Sequence, residues 1–174
     1  MSFEEFVAGS SARLFRTALL LSGNDRAAAE DLLQLALERT YRHWARVCRC
    51  GAPERYVHRI LANAANDRWR RVARRRERPL GLGTSADLVS ADHAALVAER
   101  DFLIRALAAL PPRQRTVLVL RYFDDLPEGE IADVLSCSVG TVKSQVSRGL
   151  ARLREMTEPG AEVPSAPAWR RLLS

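Results

Sequence analysis

Residues 130–154 read EIADVL, SCS and VGTVKSQVSRGLARLR in succession, which is two helix-forming strings separated by a short polar turn. In the second string the apolar side chains are Val139, Val142, Val146, Leu150 and Leu153. Their spacing of three and four residues places them on one helix face, and Ser138 is suited to cap the first turn. The pattern predicts a helix-turn-helix unit in which this stripe packs on Ile131, Ala132 and Leu135.

The opposite face of that second helix is polar. Its members are Thr141, Lys143, Ser144, Gln145, Ser147 and Arg148. Hydroxyls, amides and cations contact base edges and phosphates in the major groove of DNA, and we expect Lys143 and Arg148 to contribute most. The alternative is a solvated helix of a bundle, whose exposed face would ordinarily carry acids to balance its cations. Residues 139–154 contain four cations and no acid, which favours DNA binding.

The chain of 174 residues has a formal net charge of +6, and one segment accounts for it. Residues 68–78 contain seven arginines and one glutamate, so their net charge equals that of the whole chain. A concentrated basic segment indicates a polyanionic partner, although charge alone does not separate nucleic acid from an acidic membrane. A merely solvated helix is disfavoured because so many cations would repel one another.

Several classes of protein are disfavoured by what the sequence lacks. Three cysteines without a secretory signal favour a reducing cytoplasm, and the apolar run at 18–21 is too short for membrane insertion. Cys48 and Cys50 form a Cys-x-Cys pair with no second pair, which is a weak metal signal, so we expect no metal and no cofactor. A nucleic-acid-processing enzyme is disfavoured because there is no Walker loop, HExxH string or carboxylate cluster.

Apolar periodicity predicts helices along most of the chain and no strands. The first covers residues 3–21, the second follows an Asn24 or Asp25 cap and ends at a loop over 47–51, and the third begins at Pro53. Further helices are expected from about Ala94 and over 113–123. We therefore predict an all-α fold of two small helical domains joined by a flexible linker. The boundaries are 1–78 and 96–157 for the domains, 79–95 for the linker and 158–174 for a largely disordered tail.

Four strings together resemble a known family. They are AEDLLQLALERTYR at 29–42, YVHRILANAANDRWRR at 56–71, LPPRQR at 110–115 and VGTVKS at 139–144. In this order, within residues 3–78 and 96–156, they resemble bacterial RNA polymerase sigma-70 family factors of the extracytoplasmic-function group. The resemblance implies a non-catalytic subunit whose first domain binds polymerase and opens the −10 promoter element, while its second domain reads the −35 element.

The resemblance also implies partners. Core RNA polymerase would be contacted through the β′ clamp helices and the β flap, promoter DNA through both domains, and an anti-sigma protein would hold the factor inactive. The clamp would be contacted by Asp31, Gln34 and Glu38, which spacing alone places on one helix face. Leu35 stands where relatives commonly carry an acid, so we expect a more apolar contact here.

The −10 element requires aromatic and hydrogen-bonding side chains for unstacked bases, beside a cationic track for the backbone. The candidates for the single strand are Tyr56, Asn63, Asn66 and Trp69. The candidates for the phosphates are Arg68, Arg70, Arg71, Arg74 and Arg75. Taken individually, Tyr56 and Trp69 could equally be core aromatics. The overall alternative is a freestanding helix-turn-helix regulator, which would have no use for a polymerase-docking helix.

Overall fold

The computed structural model describes residues 1–75 and 91–156, and every regular element in these ranges is helical. The α-helices are α1 (Phe3–Leu21), α2 (Arg26–Arg42), α3 (Trp44–Arg49), α4 (Pro53–Arg75), α5 (Ala91–Ala109), α6 (Pro112–Leu118), α7 (Glu128–Leu135) and α8 (Val139–Met156). A π-helical turn, Val119–Phe123, continues α6. The predicted all-α class is confirmed. Most of the predicted linker and the predicted tail lie outside the described residues.

The first two helices of the first half, residues 1–75, each begin after a capping side chain. At α1 the Ser2 hydroxyl accepts a hydrogen bond from the Glu5 N–H (3.1 Å), and the Glu5 carboxylate accepts one from the Ser2 N–H (2.7 Å). At α2 the Asp25 carboxylate accepts a hydrogen bond from the Ala28 N–H (3.0 Å), so Asp25 and not Asn24 is the cap. Between these helices the chain turns at Gly23, whose φ is +71°.

One element of the first half differs from the prediction. Helix α2 ends at Arg42, and the short helix α3 occupies part of the segment expected to be a loop. This helix buries Val47 and is followed by Gly51, which has a φ of +69° before α4 begins at Pro53. A helix of six residues is too short to show the periodicity on which the prediction rested.

The second half, residues 91–156, contains the predicted helix-turn-helix. Helix α5 starts at Ala91, slightly before the expected Ala94, and Pro112 begins α6 as predicted. The helix expected over 113–123 is present, but its last turn is π-helical. Helix α7 ends at Leu135 and is followed by Ser136, which has a left-handed backbone (φ +52°), and α8 begins after Ser138.

The two halves pack against each other across α4. This helix contacts α1 and α2 on one side and α6 and α7 on the other. Buried apolar side chains consequently form one continuous core from the first half into the second, including Leu14, Leu61, Leu118 and Ile131. Helix α4, which carries the predicted −10 residues, is therefore the central helix of the described structure.

A buried arginine joins the two halves. The guanidinium of Arg115, on α6, donates hydrogen bonds to backbone carbonyls of Leu107 (2.8 Å), Leu110 (3.1 Å), Ala108 and Leu21 (3.2 Å). Its central carbon lies 4.2 Å from the centre of the Trp69 ring, and the Trp69 indole N–H donates to the same Leu21 carbonyl (3.0 Å). Burial lowers the pKa of Arg115 to about 10, so the group remains charged at neutral pH.

Candidate DNA-binding and polymerase-docking surfaces

The turn between α7 and α8 fixes the start of the candidate recognition helix. The Thr141 N–H donates a hydrogen bond to the Ser138 hydroxyl (3.1 Å), which confirms the predicted cap. Helix α8 then buries Val142 and Leu153 against the rest of the second half. Gly149 lies against Leu118 of α6, so closely that a Cβ at this position would stand 2.9 Å from a Leu118 methyl carbon.

The predicted major-groove residues lie together on the outer side of α8. Thr141, Lys143, Ser147 and Arg148 are exposed, while Ser144 and Gln145 are half-buried. The amine of Lys143 lies 3.9 Å from the carboxylate of Glu128 on α7, a distance at which an exposed pair contributes little.

The predicted apolar stripe of α8 is wrong at one position. Val139 is 41% exposed, because it occupies the first turn, before the helix reaches the core. Val146 and Leu150 are half-buried and pack at the edge of the core. The stripe is therefore centred on Val142, Gly149 and Leu153.

The four predicted single-strand residues on α4 have different surroundings. Asn63 is exposed, whereas the other three are half-buried where the second half approaches. Tyr56 lines a cleft, Asn66 accepts a hydrogen bond from the Thr116 hydroxyl (3.2 Å), and Trp69 stacks on Arg115. All four predicted single-strand residues therefore lie on α4, and three of them lie beside the second half.

That cleft, here called the central cleft, has a volume of about 1000 Å³ and lies between the α3–α4 region and the α7–α8 turn. Three arginines line its first-half wall: Arg46, Arg55 and Arg59. Arg55 forms an ion pair with Asp133 (3.3 Å), and Arg59 donates a hydrogen bond to the Ser136 hydroxyl (3.1 Å). Cys50 and Cys137 line opposite walls as free thiols. Sequence reasoning missed Arg59 because it lies outside the dense arginine run.

The arginine run continues along the end of α4. Arg70, Arg71 and Arg74 are exposed, and Arg68 forms an ion pair with Asp25 (2.9 Å). These three form polar contacts within their own helix: Arg70 pairs with Asp67, while Arg71 and Arg74 donate to backbone carbonyls one turn earlier. The side chain of Arg75 lies outside the described residues. The described guanidinium groups therefore form a solvent-facing cationic track.

A second surface carries the predicted polymerase-docking residues. Asp31, Gln34 and Glu38 are all exposed on α2, and Glu38 forms an ion pair with Arg42. Beside them lies a groove of about 500 Å³, here called the docking groove. Its apolar lining is Phe3, Phe15, Leu33, Leu37 and Tyr41, and its polar lining is Glu30, Gln34 and Glu38.

The docking groove was not predicted from the sequence, because apolar side chains at helical spacing, such as Leu33, Leu37 and Tyr41, indicate a stripe that faces the core. In the structure Tyr41 is 62% exposed, and Leu33 and Leu37 are only half-buried. Phe3 packs against Tyr41, with 5.0 Å between ring centres. An apolar groove bordered by acids is typical of a protein-binding surface.

Residues 1–75 and 91–156 were compared with what a metal site and a membrane-spanning helix require. No group of histidine, cysteine or acidic side chains within them could hold a metal ion. No helix there is both long and apolar enough to cross a bilayer.

A capped helix-turn-helix whose outer face carries polar and cationic side chains defines a DNA-binding class of protein. Family models give the particular class. The model described as "Sigma-70 region 2" matches residues 8–76, and "Sigma-70, region 4" matches residues 102–153.

Curated relatives agree with these matches. The chain is 37% identical to the RNA polymerase sigma-E factor of Streptomyces avermitilis over 158 residues, which cover 91% of this chain and 86% of the relative. It is 34% identical to the ECF RNA polymerase sigma factor SigE of Mycolicibacterium smegmatis, over 88% of this chain and 61% of that one. The chain therefore belongs to the sigma-70 family, in its extracytoplasmic-function group, and is a sigma factor and not a freestanding regulator.

A solved structure shows the same fold. The sigma factor RpoE of Bartonella quintana, crystallised in complex with the anti-sigma factor NepR, matches with a TM-score of 0.71 and 24% sequence identity. The match covers 91% of this chain and 98% of that one.

Proposed function

We propose that this sigma factor divides promoter recognition between α8 and α4, with the docking groove holding core RNA polymerase. The observation that carries the proposal is the exposed polar face of α8, capped at Ser138 and held on the core by Val142 and Leu153. This face would enter the major groove at the −35 element, where Lys143 and Arg148 contribute most to recognition.

Helix α4 supplies the second contact. Asn63 is already exposed, and Tyr56, Asn66 and Trp69 follow it along the same helix, with the chemistry that unstacked bases require. The exposed guanidinium groups of the arginine track would neutralise nearby phosphates. In this proposal α4 holds the opened −10 strand while the track binds the flanking backbone.

The docking groove is the proposed site for the β′ clamp helices. Five apolar side chains would be buried on binding, and the acids at its border would select a basic partner surface. The second half would contact the β flap, an anti-sigma protein would occlude these surfaces, and the protein would act in the cytoplasm by binding alone, without catalysis.

Run-off transcription with core RNA polymerase and a promoter library tests the function. We expect transcripts from a subset of promoters that depend on the added protein. Replacing Lys143 or Arg148 by alanine should reduce transcription from those promoters by roughly 5- to 150-fold, since each bidentate contact is worth about 1–3 kcal/mol. Arg152→Ala, an exposed cation later on α8, is the matched control. No transcript from any promoter, or equal losses in all three variants, would contradict the proposal.

The docking groove is tested separately by core-polymerase binding. Tyr41→Ser should weaken binding of the protein to core polymerase, whereas Arg39→Ala, exposed on the same helix, should not. Duplex DNA binding by the isolated protein should be unchanged in both. Equal polymerase affinity of the two variants would place the docking site elsewhere.

The cationic track predicts a salt dependence. Each phosphate contact contributes about 0.9 to the slope of log affinity against log salt concentration. Replacing Arg70, Arg71 and Arg74 together by alanine should lower the slope for promoter binding by roughly two to three. An unchanged slope would show that these side chains do not contact DNA phosphates.

A further inference from the structure

The docking groove leaves apolar side chains exposed to water. Nearly all of its exposed lining is apolar, and Tyr41, at 62% exposure, is the most exposed aromatic side chain of the described residues. The border acids Glu30 and Glu38 each pair with an exposed arginine one turn away on the same helix. Exposed pairs of this kind contribute little, so both carboxylates can accept another cation. The groove therefore fits a short apolar segment that also carries basic side chains.

One segment of the chain has this composition. Residues 168–173, here called the tail segment, read AWRRLL and lie outside the described residues. Trp169, Leu172 and Leu173 have the i, i+3, i+4 spacing of side chains that a helix presents to a hydrophobic groove. The two arginines between them are the only cations from residue 157 onward. The tail segment therefore matches the docking groove both in apolar character and in the sign of its charge.

The chain is long enough to bring the tail segment to the groove. Helix α8, which ends at Met156, packs on α5 and α6, and both of these helices contact α1, which forms one wall of the groove. Packed helices lie about 8–10 Å apart, so α1 is within roughly 20 Å of α8. Residues 157–168 could span up to about 40 Å. A contact within one chain is therefore within reach.

We propose that the tail segment binds in the docking groove of its own chain and competes there with core RNA polymerase. The inference rests on the proposed role of the groove in polymerase binding. Trp169, Leu172 and Leu173 would pack on Leu37 and Tyr41, while the two arginines would face the border acids. The contact covers an apolar surface that would otherwise be exposed whenever polymerase is absent.

Tethering makes a weak contact sufficient. A short linker gives a tethered segment an effective concentration of about 1 mM. A segment that binds with a dissociation constant of about 100 μM would then occupy the groove roughly nine-tenths of the time. Because polymerase binds only the unoccupied fraction, its apparent affinity would fall about tenfold. The tail segment would thus raise the concentration of polymerase that is needed without preventing binding.

Substitutions in the full chain separate the tail segment from the rest of the tail. Trp169→Ser/Leu173→Ser removes two of its three large apolar side chains. Val163→Ser is the matched control, because it removes an apolar side chain from the same tail but outside the tail segment. All three positions lie outside the described residues, so no described contact is lost in either variant.

The first measurement reports occupation of the groove. The probe is a fluorescein-labelled peptide with the sequence of residues 165–174, and its binding is followed by fluorescence polarisation. The double variant should bind it with a dissociation constant of about 100 μM, and the parent and Val163→Ser about tenfold more weakly, because their own tail segment competes. Adding Tyr41→Ser to the double variant should weaken peptide binding, whereas adding Arg39→Ala should not. No binding by the double variant, equal affinities of the double variant and the parent, or no effect of Tyr41→Ser would overturn the proposal.

The second measurement reports competition. The double variant should bind core RNA polymerase about tenfold more tightly than the parent or Val163→Ser. Equal polymerase affinities in all three proteins would overturn the competition. Polymerase binding by none of them would contradict the proposed function instead, and the peptide assay, which contains no polymerase, would still decide whether the tail segment binds the groove.

Sedimentation of the same proteins identifies whose groove is filled. The parent should be monomeric at the concentrations of the peptide assay, as should the double variant. Self-association of the parent that the double variant lacks would assign the tail segment to the groove of a second copy, and would overturn the contact within one chain.

Discussion

Replacing Arg115 by methionine should destabilise the protein strongly. Methionine approximates the length of the arginine stem but donates no hydrogen bond, so each of the four carbonyls loses the hydrogen bond from Arg115. The Leu107 carbonyl keeps the backbone N–H of Leu110 (3.1 Å), whereas the carbonyls of Ala108 and Leu110 lie at the end of α5 and just after it, where the helix supplies no donor. The fourth, at Leu21, keeps the indole N–H of Trp69.

The loss of stability depends on how many of these carbonyls remain buried without a donor. A buried acceptor without a donor costs about 1–3 kcal/mol, so two left unsatisfied would cost roughly 2–6 kcal/mol. The variant also avoids burying a cation, whose desolvation is what lowers the pKa of Arg115, and this offsets part of the loss. We therefore expect the free energy of unfolding to fall by about 3 kcal/mol, a large share of the roughly 5–15 kcal/mol typical of a domain.

Urea denaturation followed by circular dichroism measures the effect. With a typical slope of about 2 kcal/mol per molar urea, the midpoint should fall by roughly 1.5 M. Arg113→Met is the control, because Arg113 is exposed on the same helix and its replacement should change stability by no more than about 0.5 kcal/mol. Matching midpoints for the two variants would refute the structural role of Arg115.

Two further predictions concern α8. Gly149→Ala should be less stable than Gly9→Ala by about 1–3 kcal/mol in the same denaturation assay, because both substitutions raise helix propensity but only the first places a Cβ against Leu118. Equal stability of the two variants would show that Leu118 moves aside at no cost. Ser138→Ala should lower the free energy of unfolding by about 1 kcal/mol and weaken −35 binding in a gel-shift assay, because it removes the hydroxyl that accepts the Thr141 N–H. Unchanged stability would show that this cap is dispensable.

Elements whose pattern is set by local sequence could be predicted. The helix-turn-helix, its cap at Ser138 and its polar face follow from spacings within one short segment. Helix α3 was missed because a six-residue helix has no period to detect. Val139 was placed on the buried stripe because periodicity does not tell where along a helix the core begins.

Features that depend on the tertiary partner could not be predicted. Arg115 is among the most buried side chains of the described structure, yet a cation in a polar string indicates a surface residue. Tyr41 shows the reverse, since an aromatic at helical spacing indicates core and this one lines the docking groove. In both cases the exposure of the side chain is set by how other elements pack around it, which leaves no periodic signal in the sequence.

Helix α4 explains why the −10 residues remained ambiguous between core and strand binding. A side chain that stacks on an unpaired base must offer a flat ring or a hydrogen-bonding amide, and these groups equally suit a half-buried contact between helices. Trp69 stacks on the guanidinium of Arg115, and Asn66 accepts from a hydroxyl, as each could do with DNA. The sequence of α4 is therefore consistent with either role.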